Sequence, residues 1–314
     1  MATLCLTTTA KDARTLIVQS GNLMHTNVTG LLNSALKRSQ EEVLNAVSDT
    51  FAAATASSAS AETVVLDDQT GTLTIRHPGG VEAAASHAKA DDLDDLEVTA
   101  KLFLWPLPDG ADVTTVATQQ VDEALRQLRE RVGPARIDNF TVAFAGFKLD
   151  DDEQDDDDDD VDSVLQPEQS TAATKAWPDM EYLVAVWRVL EQRHAAGELQ
   201  SLGVCEFTKE RLATFLTQIK VAPATNQVNL ADCCIMPRTL IDYCRKNDIK
   251  LVTHSDACQP LAPEPLTQLW RGQTTKDGNA AARWVVKFSV MLESRGILHD
   301  KGYILRADVD AGCA

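Results

Sequence analysis

The chain has 314 residues, 44% of them hydrophobic, and a formal net charge of −18. This length suits one large α/β barrel or two ordinary domains, and the apolar content is sufficient for a core. The negative charge argues against nucleic acid or an anionic membrane as a partner. No uninterrupted apolar run approaches the roughly 20 residues that a membrane-spanning helix needs.

Short apolar runs alternate with helical patterns along the chain. Eight strands are predicted, over residues 14–18, 72–76, 98–105, 137–144, 199–204, 225–230, 249–254 and 302–307. Helices are predicted from Ser39, where Ser39 and Glu42 match a capping box, and over residues 112–133, 177–197, 208–219, 237–247 and 279–296. Residues 258–278, rich in proline, glutamine and threonine, are predicted to form an irregular connection.

This alternation of strands and helices predicts the fold class. Eight parallel strands joined mostly by helices favour a closed (β/α)8 barrel of the TIM type over an open sheet. We therefore predict one α/β barrel domain over residues 1–314.

An acidic segment interrupts the pattern after the fourth predicted strand. Residues 150–160 hold ten acidic side chains in eleven positions, broken only by Gln154. The wider segment, 148–176, has no aromatic residue and too little apolar surface to order itself. We predict a disordered loop at the carboxyl-terminal mouth of the barrel, dispensable for folding.

The seven cysteines are an odd number, and none forms a CxxC pair. We therefore predict no metal site of the zinc or thioredoxin kind. The opening residues, 1–14, lack the apolar core of a secretory signal. These features predict a reduced, cytoplasmic protein.

Four segments resemble the modifier subunits of glutamate-cysteine ligase, a divergent branch of the aldo-keto reductase superfamily. They are LIVQSGNL near the start, TAKLF at 99–103, KVAPATNQVNLADCCIMP followed by DIKLVTHSD, and ESRGILHDKGYIL near the end. The resemblance covers most of the chain outside 52–70 and 148–176. It implies the reductase barrel and one partner, the catalytic ligase subunit, with which the modifier forms a heterodimer.

The reductase resemblance also shows which catalytic groups are missing. Aldo-keto reductases use a tyrosine as general acid, assisted by an aspartate, a lysine and a histidine. The resemblance assigns Lys101 to the lysine position, whereas Ala143 stands where the histidine is expected. No tyrosine precedes Tyr182, and the segment after the second strand reads HPGG instead of the tyrosine motif. A reductase without its proton donor is expected to be inactive.

The cofactor site of the reductases is only partly matched. Cys205 and Glu206 replace the Ser-Asn pair that follows the fifth strand, Asn226 and Gln227 match the family's N-Q segment, and His254 stands at the position of the stacking aromatic residue. The basic segment that holds the adenosine phosphate is not matched, and no GxGxxG occurs. The resemblance therefore implies that no cofactor is required and that any NADPH binding is weak.

Simpler roles stay open for three of these residues. Lys101 could serve only an ion pair inside the barrel, Gln227 could satisfy a strand end, and His254 could be an ordinary polar residue at the mouth.

The adjacent Cys233 and Cys234 follow the sixth predicted strand. Both could be buried apolar side chains, as free cysteines often are. Alternatively, the resemblance to a regulatory subunit makes the more exposed thiol a candidate for partner contact and for a redox-dependent intersubunit disulfide.

Two functions from different classes follow from the sequence. The first is a non-catalytic regulatory subunit of glutamate-cysteine ligase, which improves glutamate use and weakens feedback inhibition by glutathione. The second is a weak NADPH-dependent reductase, or a sensor of the nicotinamide nucleotide. The absent tyrosine favours the first.

Overall fold

The computed structural model describes residues 13–25, 35–55, 63–87, 95–108, 110–133, 136–149, 177–229, 236–273 and 278–310. Within these ranges the helices are α1 Ala35–Thr55, α2 Pro78–His87, α3 Val113–Val132, α4 Met180–Ala195, α5 Lys209–Leu216, α6 Arg238–Lys246 and α7 Pro263–Gln273. The strands are β1 Thr15–Gln19, β2 Val64–Asp67, β3 Thr72–Arg76, β4 Leu96–Leu104, β5 Ile137–Phe144, β6 Leu199–Cys205, β7 Thr225–Asn229, β8 Lys250–His254, β9 Ala280–Leu292 and β10 Ile297–Val309.

All of these strands belong to one sheet. Their order is β2-β3-β1-β10-β9-β4-β5-β6-β7-β8. The run from β4 to β8 is parallel, as is the pair β1 and β3. Helices α3 to α6 connect these parallel strands, so the predicted α/β class with a parallel sheet is confirmed. The prediction that all eight strands are parallel is wrong for residues 302–307, which lie in the antiparallel β10.

The carboxyl-terminal part of the fold differs from the prediction. Residues 279–296, predicted to be a helix, contain β9, which forms an antiparallel hairpin with β10. The hairpin lies between β1 and β4 and pairs antiparallel with both. The misreading has a physical cause, because a segment rich in Val, Ala and aromatic residues carries an apolar periodicity that both a buried helix and a buried strand can satisfy.

The hairpin turn depends on a glycine. A short 3-10 turn, Glu293–Arg295, is followed by Gly296 in the left-handed conformation, with φ of 58°. Residues other than glycine rarely adopt that conformation, so the chain can reverse direction here at little cost.

Three smaller predictions also need correction. Ser39 lies inside α1 and does not cap it, because the helix begins at Ala35. The segment 258–278, predicted to be irregular, contains α7. The strand β2, an edge strand, was absent from the predicted set because only alternate residues of it are partly buried. The acidic residues 150–176 lie outside the described ranges.

The sheet has an apolar core on each face. Successive residues of a strand point to opposite faces. Ala100, Leu102 and Leu104 of β4 therefore lie in a core formed with α3, α4, α5 and α6. Phe103, on the opposite face, lies in a second core to which α1 and α7 contribute. Lys101 shares this second face and is 6% exposed, so its charge needs a partner inside the protein.

A buried ion pair attaches the hairpin to α3. The guanidinium of Arg131 donates to both carboxylate oxygens of Asp300, at 2.6 and 3.1 Å, and both side chains are 1% exposed. The Arg131 guanidinium also lies over the ring of Phe288, at 5.0 Å from its centre.

Of the described helices, none is long and apolar enough to cross a membrane.

We predict that Asp300→Asn lowers the free energy of unfolding by about 3–5 kcal/mol, because it leaves the Arg131 charge buried without its counter-charge. Urea denaturation at neutral pH measures the change. Asp242→Asn is the control, since Asp242 and Arg245 form a pair that is about three-quarters exposed. It should change stability by less than about 1 kcal/mol. Similar losses in both variants would show that the buried pair does not fasten the hairpin.

Candidate functional site

The carboxyl ends of β6, β7 and β8 bring polar residues together at one edge of the sheet. Cys205 ends β6, Asn229 ends β7 and His254 ends β8. Parallel strands end at the same edge, which is where α/β proteins build their sites. The strands can approach closely because Gly203 has no side chain. A Cβ at that position would collide with Thr225 and Thr141 on the neighbouring strands.

His254 is the centre of this edge. Its Nε2 lies 2.7 Å from Oε1 of Glu206 and 3.2 Å from Sγ of Cys205. Its Nδ1 accepts a hydrogen bond from the backbone N–H of Asp256, at 3.1 Å. The Glu206 carboxylate also accepts from the backbone N–H of Asn229, at 2.9 Å, so the glutamate is fixed on two sides. The structure thus brings together three predicted site residues, Cys205, Glu206 and His254.

The protonation of His254 is set by opposing influences. Burial alone lowers the pKa of the imidazole, but the hydrogen bonds with Cys205 and Glu206 raise it, to about 9. The backbone N–H of Asp256 points at Nδ1 and favours the neutral ring, because a protonated Nδ1 could not accept that bond. Nε2 carries a proton in both the neutral and the protonated ring described here. We assign this proton to the hydrogen bond that Nε2 donates to the Glu206 carboxylate.

Glu206 itself has an unusual backbone. Its φ is 63°, in the left-handed region that residues with a Cβ rarely occupy. The conformation is held by the bond from its own N–H to the carbonyl of Gln227, at 2.8 Å. This turn directs the carboxylate toward His254 and Asn229.

A second polar group lies directly beside the first. Lys101 of β4 is opposite Lys287 of β9 in the antiparallel register. Like charges at such a position repel each other. The carboxylate of Asp256 separates them, with Oδ2 at 2.8 Å from Nζ of Lys101 and Oδ1 at 2.6 Å from Nζ of Lys287. Burial would raise the pKa of Asp256, but the two ammonium groups hold it well below its usual range.

Lys101 is therefore part of an ion pair, as one of the two interpretations of the sequence expected. Burial disfavours its charge, yet the neighbouring Cys205 and Asp256 raise the pKa of Lys101. The lysine stays a cation at neutral pH, with its counter-charge supplied inside the protein.

A small cavity adjoins the cluster. Its volume is about 20 Å³, and its walls include Phe103, Ala143, Cys205, Glu206 and His254. A cavity of this size holds about one water molecule. Ala143, in the position where a reductase histidine is expected, contributes to the wall but offers no polar atom.

The remaining candidates for cofactor binding use their side chains within the protein. The amide of Asn226 accepts from the backbone N–H of Phe207, at 3.3 Å, and donates to the carbonyl of Phe207, at 2.8 Å. Gln227 donates to Oγ1 of Thr141, at 3.2 Å. Cys233 and Cys234 lie outside the described residues, so the prediction of a partner disulfide stays a prediction.

Sequence reasoning missed Asp256, Lys287 and Tyr303. Lys287 was hidden because its segment was predicted to be a helix, whereas Asp256 follows directly after β8, at the edge where site residues collect. Tyr303 is opposite Lys287 in the hairpin register. Its hydroxyl donates to Oε1 of Glu42, at 2.7 Å, and burial together with the Glu42 charge raises its pKa. None of the described residues that line the cavity is a tyrosine.

Comparison with known proteins found one family model and several similar proteins. The model of the aldo/keto reductase family matches residues 78–273. The chain is 27% identical over 237 residues to the glutamate–cysteine ligase regulatory subunit of Mus musculus, which covers 73% of this chain and 74% of the mouse protein. It is 26% identical over 130 residues to a putative glutamate–cysteine ligase regulatory subunit of Schizosaccharomyces pombe, which covers 41% of this chain and 45% of the yeast protein. The alignment with a structure of aldose reductase from Giardia lamblia, which is 22% identical in sequence, covers 49% of this chain and 44% of the Giardia chain. Its TM-score is 0.31.

We predict that Asp256→Asn lowers the free energy of unfolding by about 3 kcal/mol, because it leaves Lys101 and Lys287 opposed without a counter-charge. Adding Lys101→Met to that variant should recover part of the loss, since it removes the charge that is more deeply buried. Chemical denaturation of the single and double variants measures both effects.

The control is Asp308→Asn, which removes a partly exposed partner of Arg283. It should change stability by no more than about 1 kcal/mol. An equal loss in the single Asp256 variant and in the double variant would contradict the charge-compensation explanation.

Proposed function

The chain belongs to the aldo/keto reductase family, and we propose that it uses this scaffold as a non-catalytic regulatory subunit of glutamate–cysteine ligase. The mouse and fission-yeast relatives that match it carry that name. In this role the chain binds the catalytic subunit in the cytoplasm, improves that subunit's use of glutamate and weakens inhibition by glutathione.

The observation that carries the proposal concerns the described residues that line the cavity, none of which is a tyrosine. Carbonyl reduction needs a proton donor placed at the reacting oxygen. Tyr303, which is opposite Lys287 in the hairpin register, directs its hydroxyl at Glu42. The pair of Lys101 and Asp256 does not distinguish the two roles, because reductases also use a lysine and an aspartate. A tyrosine hydroxyl engaged internally favours a binding role over proton transfer.

A nicotinamide nucleotide is expected to bind weakly or not at all. The side-chain amide of Asn226 is held on both sides by the backbone of Phe207, which already uses one N–H donor and one lone pair of the amide. A cavity of about 20 Å³ beside His254 is much smaller than a nicotinamide ring, which makes nucleotide entry dependent on a rearrangement. We therefore retain NADPH sensing as the weaker alternative.

We predict that the purified protein does not reduce aldehydes with NADPH at a rate within about a hundredfold of an ordinary reductase, because none of the described residues that line the cavity is a tyrosine that could donate the proton. NADPH oxidation with a panel of aldehydes, followed by absorbance, tests this. Any residual rate should be the same in the wild type and in Lys101→Met. Turnover near that of a reductase, abolished by Lys101→Met and retained in Tyr243→Phe, would overturn the proposal in favour of enzymatic activity.

We predict that the protein forms a heterodimer with the glutamate–cysteine ligase catalytic subunit from the same source. The complex should show a lower KM for glutamate and weaker inhibition by glutathione than the catalytic subunit alone. Size-exclusion chromatography with light scattering measures the complex, and initial-rate kinetics measure the two effects.

Deletion of residues 150–160 provides a variant for this experiment. The ten acidic side chains should attract a basic surface of the partner, with screening over about 8 Å at physiological salt. The deletion should reduce the salt dependence of the association and leave thermal stability nearly unchanged. Absence of any complex, with no change in ligase kinetics at equimolar protein, would refute the proposed function.

A further inference from the structure

Three different kinds of metal-ligating atom converge at the ends of β6 and β8. One sulfur of Cys205, one carboxylate oxygen of Glu206 and one imidazole nitrogen of His254 all lie within 4.8 Å of one another. Cys205 is 2% exposed and Glu206 is 8% exposed, so these atoms meet in the interior and not on an open surface. We propose that Cys205, Glu206 and His254 form a binding site for a single divalent transition-metal ion, with Zn²⁺ the favoured ion.

The ligand set determines which metal fits. A thiolate and an imidazole disfavour Mg²⁺ and Ca²⁺, which prefer oxygen ligands, and they suit zinc. Three protein ligands of mixed S, N and O type are the arrangement of zinc sites that leave a fourth position open for water. The adjoining cavity of about 20 Å³, whose walls include all three residues, has room for that one water molecule.

The observed distances are close to those of a loaded site. In a tetrahedral zinc site, bonds of about 2.0–2.3 Å separate neighbouring ligand atoms by about 3.3–3.6 Å. Here Nε2 of His254 lies 3.2 Å from the Cys205 sulfur and 2.7 Å from the Glu206 oxygen. For these two contacts, binding needs the atoms to separate by less than about 1 Å. The Cys205 sulfur and the Glu206 oxygen lie within 4.8 Å of each other. The ion takes the place of the protons that hold the cluster together in its absence.

Asp256 is placed to support a metal-bound histidine. When Nε2 coordinates a metal, the neutral ring carries its proton on Nδ1, and an acceptor for that proton stabilises the site. Oδ2 of Asp256 lies 3.6 Å from Nδ1. Metal binding thus exchanges the bond from the Asp256 N–H for one to the Asp256 carboxylate, and the two lysines hold that carboxylate in its charged form.

The local charges are compatible with a cation. The thiolate of Cys205 and the carboxylates of Glu206 and Asp256 supply three negative charges, while Lys101 and Lys287 supply two positive ones. A divalent ion then leaves the group with one net positive charge. The Cys205 thiol releases its proton to solvent on binding, and a protonated His254 ring releases one as well. Lys101 opposes the ion, and its pairing with Asp256 limits that repulsion.

Cobalt titration of the metal-free protein tests the site directly. Protein dialysed against a chelator should bind one Co²⁺ per chain, with the visible spectrum of a tetrahedral ion and a near-ultraviolet band from thiolate-to-cobalt charge transfer. Equimolar Zn²⁺ should remove both signals and raise the melting temperature of the metal-free protein. Cys205→Ser should abolish the charge-transfer band, and Cys205→Ser and His254→Gln should each lower zinc affinity by at least about a hundredfold.

Two controls separate this site from other thiols. Cys258→Ser alters a cysteine that lines the same cavity outside the cluster, and it should leave binding unchanged. The double variant Cys233→Ser with Cys234→Ser should also retain binding. If Cys205→Ser fails to fold, as judged by circular dichroism, Glu206→Gln replaces it, since the amide keeps the size of the side chain but loses its charge.

Two results would overturn the proposal. One is wild-type protein that binds no metal at equimolar concentration, which would leave the cluster a hydrogen-bonded triad. The other is stoichiometric binding that persists in Cys205→Ser and His254→Gln, which would assign the metal to other residues.

Discussion

The carboxylate of Asp256, held between two lysines, is the interaction on which the described site depends. Lys101 and Lys287 are opposite each other on β4 and β9, and the buried ammonium group of Lys101 needs a counter-charge. Asp256 supplies it from the loop after β8. The same residue directs its N–H to His254, while its carbonyl accepts from Asn229, at 2.9 Å. Asp256 thus links β4 and β9 through its carboxylate, and it orients the side chains of His254 and Asn229 through its backbone.

This arrangement exists because of the β9–β10 hairpin. The hairpin places Lys287 next to β4, and the buried pair of Arg131 and Asp300 attaches it to α3. Its insertion between β1 and β4 also sets Tyr303 in register with Lys287 and directs its hydroxyl to Glu42. The polar groups Lys101, Asp256, Lys287, Tyr303 and Glu42 are therefore paired with one another.

The cluster at the ends of β6 and β8 differs in kind from the lysine network. Cys205, Glu206 and His254 bring a sulfur, an oxygen and a nitrogen to one point beside a cavity of about 20 Å³. Such a small space is suited to a water molecule or an ion with its water, in contrast to a nucleotide. The left-handed backbone of Glu206 is part of this convergence, because it aims the carboxylate at the histidine.

The sequence by itself determined the α/β class and the bounds of β3, β5, β6, β7 and β8 to within a residue or so. These features follow from local apolar patterns. Cys205, Glu206 and His254 were candidates only through the resemblance to the aldo-keto reductases, and they meet because parallel strands end on the same side of the sheet. Only the tertiary structure decided that residues 280–292 form a strand, because an apolar run satisfies a buried helix and a buried strand equally well. The partnership of Lys101, Asp256 and Lys287 was decided there as well, since it joins side chains 155 and 31 positions apart along the chain. No local pattern encodes contacts of that kind.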